Sequence, residues 1–125
     1  MAAGDHTYLR THRLAGRVIV FDTATEEAKI RQQAAASKTG RAAKTLVKEG
    51  QLRVTLIGLR NGSALGAHQV EGEVSIHVLR GALAIRTGGS YLRVPKGGIA
   101  VMHAGVSHDA RALRDTVILL TTSMR

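Results

Sequence analysis

Two stretches decide the fold of this 125-residue chain: GSALGAHQVEGEVSIHVLRG (62–81) and GGIAVMHAGVSHDARA (97–112). Each begins with a glycine that is followed by five residues and then a histidine. The first contains, in order, Gly62, His68, Val70, Val74 and Gly81. The second contains, in order, Gly97, His103, Gly105, His108 and Ala112. Apolar, β-branched segments that end at glycines are typical of short strands joined by turns. The repeated spacing therefore indicates two related glycine-and-histidine motifs within a β architecture.

The two stretches resemble the two sequence motifs of the cupin superfamily, and the segments VLRG (78–81) and AGVSH (104–108) are the most specific part of the likeness. Cupins have a jelly-roll barrel that directs three histidines and a glutamate toward a metal ion in its mouth. The resemblance extends from about residue 50 to the end of the chain. It implies an all-β, cupin-like double-stranded β-helix (jelly-roll) barrel with a short N-terminal helix, of the small single-domain bacterial type.

The resemblance also assigns the metal-ligand positions, and this sequence departs from the family at two of them. The first and last histidines of the family correspond to His68 and His108. The second histidine corresponds to Val70 and the glutamate to Val74, so two of the four ligand positions carry aliphatic side chains. The usual proline of the second motif is His103. The implied cofactor is a divalent metal (zinc, nickel, iron or manganese), with His68 and His108 as its candidate ligands.

Four further side chains are candidates to complete a metal site. His77 and His103 supply imidazole, the commonest nitrogen ligand, but strand alternation directs His77 outward if Val74, Ile76 and Val78 line the interior. Glu71 and Glu73 lie between His68 and the next predicted strand and offer carboxylates. We interpret both glutamates as charges on the surface of a loop.

Two hypotheses about function follow from this set of residues. In the first, the protein binds a small molecule, or loosely a divalent metal, in the barrel mouth. The ligand-binding residues are then His68, His108, Val70, Val74 and Ile76. In the second, the protein is a metal-dependent cupin enzyme of the dioxygenase or isomerase type. Aliphatic residues at two ligand positions remove much of the metal's coordination shell, so they favour the non-catalytic hypothesis. No catalytic residue is assigned.

Composition limits the remaining possibilities. A chain of 125 residues is expected to form one domain, here a flexible N-terminal arm over 1–16 and a single cupin domain over 17–125, with the barrel at about 41–122. The absence of cysteine excludes disulfides and thiolate ligands. No apolar run reaches the length of a membrane span, so a cytoplasmic protein is expected.

The net charge of +9 raises the question of a polyanionic partner. The charge is spread evenly, since residues 1–50 hold nine basic and five acidic side chains and residues 51–125 hold nine and four. The three aromatic residues are Tyr8, Phe21 and Tyr91, which leaves few rings on which bases could stack. These features argue against specific nucleic-acid binding. The expected partner is a second copy of the chain in a homodimer.

Periodicity and turn signals predict the individual elements. Thr23 and Glu26 fit a capping box for a helix over 24–36, which follows an edge strand at 17–21. The predicted barrel strands cover 43–48, 52–60, 74–79, 83–87, 90–94, 99–102, 109–113 and 116–122. The predicted core positions are Leu52, Val54, Leu56, Val74, Ile76, Val78, Val101, Ile118 and Leu120.

Overall fold

The computed structural model describes residues 18–66, 72–106 and 108–123. Within these ranges the chain forms one helix, α1 (Thr23–Ala36), and eight strands. The strands are β1 (Arg41–Glu49), β2 (Leu52–Leu59), β3 (Glu73–Arg80), β4 (Ala82–Thr87), β5 (Ser90–Pro95), β6 (Ile99–Met102), β7 (Asp109–Ala112) and β8 (Thr116–Ser123). In this described part of the chain, α1 lacks the length and the apolar run that a membrane crossing requires.

The strands form two sheets, a five-stranded one in the order β1-β2-β8-β3-β6 and a three-stranded one in the order β5-β4-β7. Every strand pair is antiparallel. Strands that are distant in sequence, such as β2 and β8, lie side by side, as jelly-roll connections require. The arrangement confirms the predicted all-β jelly roll with one short helix before it.

The directions of the strands define two ends of the barrel. At one end, which we call the mouth, lie the starts of β3, β5 and β7 and the ends of β4, β6 and β8. At the other, which we call the turn end, four connections meet: residues 60–63, 80–82, 95–98 and 112–116.

The inner core fills the space between the two sheets. In β3 the residues Val74, Ile76 and Val78 are each at most 2% exposed, whereas the intervening residues are half-buried. This period of two is the pattern that the sequence predicts for a strand with one face toward a core. The full inner cluster comprises Ile57, Leu59, Val74, Ile76, Val78, Leu83, Ile85, Val94, Ala110, Ala112 and Ile118.

A second, outer core lies between α1 and the other face of the five-stranded sheet. Ile30 of α1 packs there with Leu46, Val47, Leu56 and Val117. Gly58 lets the helix approach, since a Cβ at this position would come within 2.9 Å of the carbonyl oxygen of Ile30. The helix therefore packs on the outside of the barrel.

The start of α1 differs from the predicted capping box. Asp22, not Thr23, is the N-cap, and its carboxylate accepts from the amide of Ala24 at 3.1 Å and from the hydroxyl of Thr25 at 2.9 Å. Glu26 consequently lies beyond the capping position and is turned toward the sheet, where it is buried. A carboxylate one residue earlier in the chain supplies the cap instead.

Three other predictions about elements and core are wrong. The predicted edge strand at 17–21 is wrong, because residues 18–22 pair with neither sheet and lead directly into α1. Val18 and Val20 are 68% and 69% exposed. Leu52 is 44% exposed because it begins β2 at the mouth. Val101 is 72% exposed because β6 turns its even-numbered residues inward and its odd-numbered ones outward.

Candidate functional site

His108 lies at the mouth, at the start of β7, and is 3% exposed. Its Nδ1 atom is 3.3 Å from the carbonyl oxygen of Val106. Because a carbonyl can only accept, this hydrogen bond requires the proton on Nδ1 and gives Nε2 the acceptor role in the neutral ring. The Nε2 atom is buried as well. The structure thus holds the imidazole in a defined orientation at the inner surface of the barrel.

The residues beside His108 alternate between the two faces of β7. Asp109 is half-buried and Ala110 is 1% exposed, so the carboxylate faces away from the imidazole. The last registered pair between β4 and β7 joins Arg86 to Asp109. Extending this antiparallel pairing by one residue on each strand places Thr87, at the end of β4, opposite His108.

Val74 and Ile76 belong to the inner core. Val74 is 2% exposed and pairs with Met102 of β6, and Ile76 is fully buried and pairs with Ala100. Val74 therefore occupies, with its side chain inward, the position that the resemblance assigns to a glutamate ligand. An isopropyl group has no lone pair to offer a metal ion.

The other predicted site residues divide between described and undescribed segments. His68 and Val70, together with Glu71, lie outside the described residues. His77 is half-buried on the outer face of β3, as alternation predicts, and Glu73 lies on the same face of the strand. His103 is exposed in the turn after β6, where its carbonyl accepts from the amide of Val106 at 3.3 Å.

The described donors do not fit a site of three histidines and one glutamate. Within residues 18–66, 72–106 and 108–123, no three histidine, aspartate or glutamate side chains converge to hold a metal ion. His108 is the one described residue that matches a ligand position with a donor atom, and Val74 is the mismatch at the carboxylate position.

The structure adds a feature that the sequence analysis missed, an apolar groove of about 350 Å³ between the edge strands β5 and β6. These strands belong to different sheets, and neither has a second neighbouring strand among the described residues, so the barrel is open between them. The groove reaches from the mouth, at Thr87 and Met102, to the turn at Pro95 and Gly98. Its inward walls are side chains of the inner core: Ile85, Val94, Ala100 and Met102.

The rim of the groove is formed by Leu92, Ile99 and Val101, which are 58%, 60% and 72% exposed. Arg93 is the charged residue among those that line it. Exposed aliphatic side chains around a concave apolar surface are typical of a binding region rather than of ordinary protein surface. The sequence signal that could have located it is a set of apolar residues at every second position on both sides of the turn at 95–98. Leu92 and Val94 precede the turn, and Ala100 and Met102 follow it.

Comparisons with known proteins agree with this architecture. A conserved protein of unknown function from Streptococcus pyogenes is 27% identical, with a TM-score of 0.66 over 71% of this chain and 78% of that one. A cupin superfamily protein from Desulfitobacterium hafniense is 14% identical, with a TM-score of 0.68 over 74% and 87% of the two chains. Salicylate 1,2-dioxygenase from Pseudoaminobacter salicylatoxidans is 18% identical, with a TM-score of 0.72 over 82% of this chain and 34% of that one.

These solved structures and the barrel topology show that the chain has the cupin fold. The part of the chain that the structure describes forms one barrel and one short helix. No protein-family profile matches the sequence, and no curated protein is significantly similar to it. Because the structural neighbours include enzymes and proteins of unknown function, the fold alone assigns no activity.

Proposed function

We propose that the protein binds a small, largely apolar molecule in the groove between β5 and β6 and does not transform it. The observation that carries this proposal is the groove of about 350 Å³, whose inner walls are core side chains. A volume at the lower end of the range typical of ligand pockets suits a compact molecule of one or two rings.

The lining determines which chemistry the ligand must have. Ile85, Val94 and Met102 offer apolar contact, which contributes roughly 25 cal/mol for each Å² removed from water. At the mouth end, the hydroxyl of Thr87 and the nearby imidazole of His108 add polar groups, so one polar substituent on the ligand is accommodated there. Val74 replaces the carboxylate that a metal-dependent cupin would use, which supports binding over catalysis.

Indole is a suitable probe, because it is compact, apolar and carries one hydrogen-bond donor. We expect its addition to shift the side-chain methyl NMR signals of Ile85, Val94 and Met102 in a saturable way. Ala100→Leu should abolish these shifts by filling the groove. Ala43→Leu, an added side chain of equal size on the exposed face of β1, should leave them unchanged.

Two outcomes would contradict the proposal. The first is the absence of saturable methyl shifts at the solubility limit of indole. The second is binding that Ala100→Leu leaves intact while the variant keeps the amide spectrum of the folded barrel.

A second candidate function is loose binding of a divalent metal at the mouth, and the orientation of His108 supports it. Metal-ligating histidines commonly donate their other ring N–H to a backbone carbonyl, as Nδ1 of His108 does to Val106. His68 is the second ligand that the resemblance implies. Two imidazoles leave most of the coordination shell to water, so the expected affinity is weak.

A further inference from the structure

A strongly basic depression lies at the turn end of the barrel, opposite the mouth. It is open to solvent and has a volume of about 600 Å³. Its charged lining residues are Arg31, Arg80, Lys96, Arg114 and Asp115. The four cations come from α1, the end of β3, the β5–β6 turn and the β7–β8 turn. The fold therefore brings together positive charges that are far apart in the sequence.

The depression carries an excess of positive charge. Four cationic side chains face one carboxylate, which leaves three positive charges uncompensated. Within the described residues, none of these four cations forms an ion pair with a carboxylate, in contrast to Lys44, which pairs with Glu26. Like charges that converge around a concave surface raise the local concentration of anions.

The scaffold beneath these cations is rigidly connected. The amide of Asn61 donates to Oδ1 of Asp115 at 2.9 Å, which joins the end of β2 to the β7–β8 turn. The hydroxyl of Thr116 lies 2.7 Å from the carbonyl oxygen of Arg114 and 3.0 Å from that of Ala82. Gly81 has a φ of +82°, and a side chain there would overlap Asp115 and Thr116. The cations are thus mounted on turns that are held in place before any ligand arrives.

A recess of about 350 Å³ adjoins the depression and shares Arg31 and Asp115 with it. Its other walls include Ala28 and Ala35 of α1 and Leu59 of β2, which are apolar. Arg60 forms another wall, where its guanidinium donates to the carbonyl oxygen of Ala35 at 3.2 Å. The two cavities together place a partly apolar pocket beside a cationic one.

We propose that this pair of cavities binds a phosphorylated small organic molecule, with its phosphate in the basic depression and its organic part in the recess. Arg80 and Arg114 supply planar guanidinium groups, whose geometry matches phosphate oxygens in paired hydrogen bonds. Lys96 and Arg31 add positive charge, and the excess of three suits a ligand with two or more negative charges. The site is independent of the groove between β5 and β6, which approaches it only at the β5–β6 turn.

Adenosine diphosphate is the probe, with adenosine and inorganic phosphate as its two parts. In amide NMR titrations we expect adenosine diphosphate to shift Asn61, Gly81 and Asp115 saturably and to bind more tightly than either part. Arg80→Gln combined with Arg114→Gln should weaken binding by about ten- to a hundredfold, as the loss of charge-assisted hydrogen bonds predicts. Added salt should weaken it too, since these charges are exposed.

Lys96→Gln and Lys48→Gln form a matched pair of variants. Each removes one exposed lysine charge, but Lys96 lines the depression, whereas Lys48 lies near the mouth end of β1. Lys96→Gln should weaken the binding of adenosine diphosphate, and Lys48→Gln should not. Equal effects of the two variants, or no saturable shift at millimolar adenosine diphosphate, would overturn the proposal.

A short DNA duplex tests whether these cations bind the phosphates of a nucleic acid instead of those of a small molecule. The proposal requires the duplex to bind these residues less tightly than adenosine diphosphate does. A duplex that shifts the same amides at lower concentration would overturn it, because the cations would then serve a nucleic-acid backbone.

Discussion

Oε1 of Glu26 lies 2.9 Å from Nζ of Lys44, and this ion pair joins α1 to β1. The side chain of Glu26 is 2% exposed and that of Lys44 is 27% exposed. The carboxylate is therefore buried between the helix and the sheet, next to the outer core, and it depends on a partner that water can partly reach.

Lys44→Ala should destabilise the protein, because it leaves the buried carboxylate of Glu26 without its cation. The expected loss in the free energy of unfolding is about 1 to 3 kcal/mol. Urea denaturation measures it. The double variant Glu26→Leu with Lys44→Leu should lose less, since it buries no charge. If the double variant is less stable than Lys44→Ala, the ion pair stabilises the protein by more than the free-energy cost of burying its charges.

Ile76→Ala should destabilise the inner core. Ile76 is fully buried, so removing three side-chain carbons creates a cavity that costs roughly 2 to 5 kcal/mol. Val101→Ala is the matched control in the neighbouring strand. Its side chain is 72% exposed, and the expected change is within about 0.5 kcal/mol. Equal losses in the two variants, measured by thermal or urea unfolding, would contradict the assigned faces of β3 and β6.

Nickel titrated into the protein at neutral pH should broaden the NMR signals of His108 and His68 before those of the other histidines. His68→Ala should abolish the effect, because one imidazole is an insufficient site. Sub-micromolar binding that survives His68→Ala would place the metal elsewhere. Tight binding that also requires Glu71, Glu73, His77 or His103 would instead support the metal-dependent dioxygenase or isomerase hypothesis.

The homodimer expected from the sequence stays a prediction, and the segment before α1 offers a surface for it. Val18 and Val20 are 68% and 69% exposed, which is unusual for two aliphatic side chains so close together. Sedimentation equilibrium should give a dimer mass, and Val18→Lys with Val20→Lys should shift it toward the monomer. Val101→Lys, which changes an equally exposed valine on β6, is the control. A monomer mass at all concentrations would refute the dimer.

The sequence predicted the helix and the eight strands with small errors at their ends, because alternation and turn residues are local signals. Alternation also grouped Leu52, Val54 and Leu56 on one face of β2. It did not reveal that this face meets α1, whereas Ile57 and Leu59 face the inner core. Which face of a strand meets which layer is decided by tertiary packing.

Local sequence signals predicted less of the candidate sites than of the strands. The resemblance identified His108 and Val74, because each occupies a fixed position in a motif. Nothing local relates Arg31, Arg80, Lys96 and Arg114, since the strand order and the packing of α1 on the sheet bring their four segments to one end of the barrel. The groove between β5 and β6 escaped detection because it depends on which strands lie at the sheet edges.

The five-stranded sheet separates two apolar clusters that face opposite sides. Residues of the outer cluster, such as Ile30 and Leu56, do not line the groove between β5 and β6. Substitutions in that layer can therefore change the stability of the protein without reshaping the groove. During evolution this separation would allow tolerance to heat and choice of ligand to change independently, each through its own set of side chains.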